Sequence, residues 1–113
     1  MIKVVLQKDE DGRIHELGCE GHAGFSASEE GGVDIVCAAV SALTGYLGLT
    51  MAEVLGLPEA VSASDGHFRF RRSLGWPEAT QHVVDVLLQG WERAVRALED
   101  NYSGWVKVTE TAR

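Results

Sequence analysis

Two Asp-Gly pairs, Asp11-Gly12 and Asp65-Gly66, do most to limit what this chain can fold into. Asp-Gly between strand-like runs closes a tight hairpin, because glycine accepts the left-handed backbone that such turns demand. The first pair joins a β-like run over residues 2–7 to an imperfect strand over 13–19, where Ile14 and Leu17 stand among polar residues. The second joins residues 61–64 to 67–71. There Phe68 and Phe70 alternate with Arg69 and Arg71, the period-2 pattern of a strand with one buried face.

Two helices fit between and after these hairpins. Asp34 reads as an N-cap, and the helix it opens runs to about Leu55, ahead of Gly56 and Pro58. At 100° per residue, Val36, Val40, Leu43, Leu47, Met51 and Val54 form one apolar stripe. Asp34, Cys37, Ser41 and Gly45 share a different face, which puts Cys37 at the border of the buried stripe. A second helix starts near Pro77 and repeats Val84, Leu87, Leu88, Trp91, Val95 and Leu98 at helical spacing. Residues 105–108 supply a last strand. The order ββαββαβ predicts a single α+β domain over residues 1–113, two layers deep, with a mixed or antiparallel sheet of about five strands and two long helices.

Composition narrows the setting. No apolar run approaches the ~18 residues a membrane span needs, and MIKVVLQKDE lacks the layout of a signal peptide. Two cysteines without a secretory signal suggest a reducing, cytoplasmic setting. The formal charge of −7 argues against a general nucleic-acid binder and suits a basic peptide or protein partner.

The chemistry concentrates in residues 21–41, GHAGFSASEEGGVDIVCAAVS. Cys37 lies just inside a helix start, where free N–H groups and the helix dipole favour a thiolate. His22 precedes it across a segment rich in Gly and Ser, and can supply the imidazole of a nucleophilic pair. The plainer readings are a buried, inert thiol and an exposed loop histidine. Gly21 and Gly24 flank that histidine and permit unusual backbone angles. Asp34 has two competing roles, as cap or as a third member orienting the His22 ring. Ser41 either contacts substrate or bonds back to its own helix. Backbone N–H groups near Val36 and Cys37 could form an oxyanion hole.

Cys19 forms Cys-x-x-His with His22, which invites a zinc reading together with Cys37. A structural zinc site needs four ligands, and His15 and His67 are scattered, so no metal or other cofactor is expected. Cys19 fits better as a core residue at a strand end. Arg69, Arg71 and Arg72 read as a solvated face, and the three tryptophans as core or dimer-interface residues.

Gly21-His22-Ala23, followed by Gly32-Val33-Asp34-Ile35-Val36-Cys37-Ala38-Ala39-Val40-Ser41, resembles the ribosomal-processing cysteine protease family. The similarity is specific through residues 21–43, and the order of elements is compatible along the whole chain. The resemblance implies a small α+β homodimer that removes a short N-terminal extension from bacterial large-subunit ribosomal protein twenty-seven. It further implies Cys37 as nucleophile and His22 as its partner, with Asp34 and Ser41 near the site and an apolar groove beside Cys37. The competing expectation is a non-enzymatic, ribosome-associated module that binds a basic tail.

Overall fold

The computed structural model describes residues 1–21 and 35–113. His22, Asp34 and the expected loop between the first hairpin and the first helix therefore lie outside the described residues.

Strands β1 (Ile2–Lys8) and β2 (Ile14–Glu20) pair antiparallel around the first Asp-Gly turn. Asp9 holds that turn: its Oδ1 accepts the backbone N–H groups of Asp11 and Arg13 at 2.9 and 3.0 Å, while Gly12 adopts φ +83°. Its other oxygen meets the buried His15 ring at 2.9 Å, the leading reason the Asp9 carboxyl sits below its ordinary pKa. Strands β3 (Val61–Ser64) and β4 (His67–Arg71) match the expected runs residue for residue. Strand β5 (Val106–Ala112) joins β1 in parallel, giving the order β3-β4-β2-β1-β5. It runs four residues beyond the expected 105–108 segment. Those residues are mostly polar, and what recruits them is the backbone ladder to β1, which carries no side-chain signature.

Helices α1 (Ile35–Leu49) and α2 (Glu78–Asn101) pack on one face of this mixed sheet, so the fold is α+β in the order ββαββαβ. Ile2, Val4 and Leu6 alternate inward along β1, Leu17 and Cys19 along β2, and Phe68 and Phe70 along β4. They meet Val36, Val40, Leu47 and Met51 from the first helical stretch and Val84, Leu88, Trp91 and Val95 from the second in one core. Each such side chain contributes about 1.5–3 kcal/mol by leaving water.

Three expectations change. Val54 does not belong to the buried stripe: it is 76% exposed. After Leu49 the chain widens into a π-helical turn, Thr50–Val54, and Leu55 N–H reaches back five residues to Thr50 C=O at 2.9 Å. That wider turn breaks the 100° spacing on which the stripe was extended. Arg72 is not on a solvated face, although Arg69 and Arg71 are. It follows Phe68 and Phe70 in parity, points inward, and its side chain is fully buried against Asp85. Finally, Ile35–Val54 is long and apolar enough to cross a membrane, against the expectation that no run comes close. In this fold its Val36, Val40, Thr44, Leu47 and Met51 are buried beside the sheet.

Candidate active site

A cavity of about 410 Å³ opens between α1 and the end of the sheet carrying the β3–β4 turn. Cys37, Ser41, Gly45 and Gly48, at i, i+4, i+8 and i+11, lie along its helical side with little bulk, beside Val40, Thr44 and Leu49. Val61 and Ala63 of β3 stand opposite, and Cys19 and Phe68 also line the space. The shared face expected for Cys37, Ser41 and Gly45 is therefore assembled around one cavity. Most of its surface is apolar side chain or glycine, which suits an apolar ligand group.

Cys37 is the third residue of α1 and is half-buried. It sits in the first turn, where N–H groups lack intrahelical partners and the dipole is positive. An anion is favoured at this end of a helix. Cys19 differs. It is 8% exposed, in register with Val4 on one side and Phe68 on the other. Burial pushes its thiol pKa up, and the nearby Cys37 and Glu20 add to that rise. The two thiols thus divide into one accessible at a helix head and one kept protonated in the core, as expected for a strand-end core residue. Cys19→Ala should leave peptide cleavage within about twofold of wild type, at a stability cost on the order of 1 kcal/mol. Loss of cutting at an unchanged melting temperature would count against this division.

Thr44 is a lining residue that the sequence reading passed over. Its Oγ1 is buried and makes no full hydrogen bond, yet it lies close enough to Cys19 to oppose the rise in that thiol's pKa. The available signal was its spacing, four residues after Val40 and three before Leu47 on the core stripe, and the structure leaves it 9% exposed.

Gly21 closes β2 immediately before His22, and its geometry is imposed twice over. Its φ is +95°, and an added Cβ would stand 2.6 Å from the Met1 carbonyl oxygen. Its N–H also donates to Gly66 C=O at 2.9 Å, tying the exit of β2 to the second hairpin turn. Gly21→Ala should destabilise the fold by about 1–3 kcal/mol and slow cutting further by displacing the chain that carries His22. Equilibrium unfolding and a cleavage assay measure the two effects.

Of the two described histidines on the sheet, His67 lines the cavity and His15 does not. His67 is exposed beside Glu20 at 3.4 Å, and His15 is turned to Asp9. Among the described residues, no group of three or more His, Cys, Asp or Glu side chains is placed to hold a metal ion.

A thiol at a helix head, facing an apolar cavity, is an arrangement for nucleophilic attack. A family model described as cysteine protease Prp matches residues 1–107. The chain belongs to the cysteine protease Prp family. Solved structures agree in fold. The essential ribosomal processing protease Prp from S. aureus, in complex with a covalently linked product peptide, superposes with a TM-score of 0.76 at 24% identity, covering 98% of this chain and 100% of that one. The same protease with a substrate peptide gives 0.74 at 22% identity, with 98% and 100% coverage. SMU.848 from Streptococcus mutans gives 0.74 at 26% identity, covering 100% of this chain and 96% of that one. A comparison with curated proteins returned no match. As a member of the Prp family the chain is a cysteine protease, and the cavity beside Cys37 is its candidate active site.

Proposed function

We propose that this Prp-family protease is a cytoplasmic endopeptidase that removes a short N-terminal extension from bacterial large-subunit ribosomal protein twenty-seven. The observation that carries the reading is Cys37 at the head of α1, opening onto an apolar cavity in a chain of this family. The S. aureus neighbour, a ribosomal processing protease holding a covalently linked product peptide, supports the substrate class. A basic ribosomal substrate also suits a protease of charge −7.

In this mechanism the Cys37 sulfur attacks the scissile carbonyl, and the first-turn N–H groups receive the developing oxyanion. The C–N bond breaks, His22 gives its proton to the departing amine, and a thioester remains. Water, with His22 as base, then hydrolyses that thioester and frees the thiol. Asp34 caps α1 or orients His22, Ser41 contacts the peptide from the next turn, and Gly21 sets the path of the chain into His22.

Incubation with the ribosomal protein precursor, followed by mass spectrometry, tests the proposal. A loss equal to the extension supports it, whereas a tail-binding module would leave the mass unchanged. Gly45 offers a second test, because a Cβ there meets nothing within 4 Å. Gly45→Leu should fill the cavity and raise KM roughly tenfold. The protein should melt no lower than wild type, since glycine costs a helix about 1 kcal/mol.

The protease acts as a homodimer in this reading. Tyr46, Val54, Val83 and Val86, between 47% and 76% exposed, surround an apolar groove between the two helices that a second copy would cover. Sedimentation at micromolar concentration measures that state.

A further inference from the structure

Strand β3 is one of the two outer strands of the sheet, and its outer edge, which no strand among the described residues pairs, borders the cavity that holds Cys37. The pairing register shows which backbone groups that edge presents. Arg72 N–H donates to His15 C=O at 2.8 Å, and Gly66 C=O accepts from Gly21 N–H at 2.9 Å. Even-numbered residues of the β4 segment therefore direct their backbone at β2, and His67 and Arg69 direct theirs at β3. Their partners Ser64 and Ser62 face inward to the ladder, so Val61 and Ala63 must face out. The Val61 N–H is taken by Pro58 C=O. Ala63 N–H, Ala63 C=O and Val61 C=O are left pointing away from the sheet.

Resting on the peptidase reading above, we infer that this edge captures the main chain of the substrate as an added strand. A peptide reaching Cys37 must lie between α1 and β3. On the helical side Ser41 and Gly45 leave room for it, and a Cβ added at Gly45 would meet nothing within 4 Å, while Val40, Thr44 and Leu49 also line the space. An extended segment placed one strand spacing, about 4.8 Å, beyond β3 meets Ala63 N–H with a carbonyl. Its N–H groups meet Ala63 C=O and Val61 C=O. Those two acceptors are two residues apart, so alternate peptide amides are held and the amide between them is not. The side chains of the added strand alternate likewise, one set entering the cavity and the other facing the open side of the sheet. Backbone pairing of this kind supplies affinity without sequence information, and the cavity supplies the selection.

A backbone N-methyl scan of a synthetic peptide spanning the ribosomal extension reads this pattern. Two positions two residues apart should each lose roughly three- to tenfold in kcat/KM, the range for one net hydrogen bond, and methylation between them should change it less than twofold. In parallel, amide hydrogen exchange is followed in the Cys37→Ala protein saturated with the unmethylated peptide. Ala63 N–H should become protected, while the Ser62 and Ser64 amides, already paired to β4, should not change. A scan without alternation, or an Ala63 amide that exchanges equally fast with peptide bound, overturns the inference. Failure of the catalytic reading looks different, because a peptide that protects Ala63 and is never cut keeps the edge pairing and removes the protease assignment. A peptide that is neither cut nor protective removes both.

Discussion

Cys37→Ala and His22→Ala should each yield a folded protein that cuts its peptide about four orders of magnitude more slowly than wild type. The expectation follows from what each change removes. Without the thiol there is no atom to form the acyl intermediate. Without the imidazole, nothing delivers a proton to the departing amine or takes one from water. Because the two act as a unit, the double variant should be no worse than either single one. The Cys37 side chain is half-buried at the border of the core, so its truncation leaves the melting temperature within a few degrees. Single-turnover cleavage monitored by mass spectrometry gives the rates, and equilibrium unfolding checks the fold. Activity retained by Cys37→Ala would exclude the mechanism, since Cys19, the other thiol on the cavity wall, is 8% exposed and its pKa is raised by burial.

The largest stability loss should come from Arg72→Ala, far from the chemistry. The Arg72 guanidinium has no exposed surface and joins three elements. Its Nε donates to Ile14 C=O at 2.8 Å, Nη1 to Gln81 Oε1 at 2.7 Å, and Nη2 to Asp85 Oδ1 at 2.6 Å. Burial pulls the Arg72 pKa down, and the facing Asp85 carboxylate is the leading influence that restores the charge. Removing the side chain takes the Arg72 donors away from the buried Gln81 amide oxygen and the Ile14 carbonyl, and strips Asp85 of one of its two cations; Arg13 remains at 2.8 Å. Breaking a buried pair in this way costs about 3–5 kcal/mol. Arg71→Ala is the control: its bridge to Glu16, at 2.9 Å, is 78% exposed on the arginine side, and surface pairs contribute about 0–1 kcal/mol. Denaturant melts of the two variants should separate them clearly. Equal losses would show that the Arg72 network contributes no more than a surface pair.

These two arginines, neighbours in sequence, also show where reading the chain succeeds and where it stops. Arg69 and Arg71 were legible as outward residues because strand alternation is a local rule. Arg72 continues the inward parity of Phe68 and Phe70, but its partners Gln81 and Asp85 lie on a helix that only the packed fold brings near. The second hairpin was legible to the residue, since an Asp-Gly turn acts within four residues. The run of the first helix was legible until the π-helical turn at Thr50–Val54 rotated Val54 into solvent. The parallel seat of β5 beside β1 had no sequence mark, and Thr44 was marked only by its place at core spacing between Val40 and Leu47.

The chain by itself determined its elements and their order, and marked one thiol as chemically distinct. Turn residues, helical periods and a cysteine near a helix start all act over a few residues, so they can be read along a line. Tertiary structure alone decided which arginine is a staple and which strand edge faces Cys37 across open space. Both depend on partners brought close only by packing, and no local pattern encodes those partners.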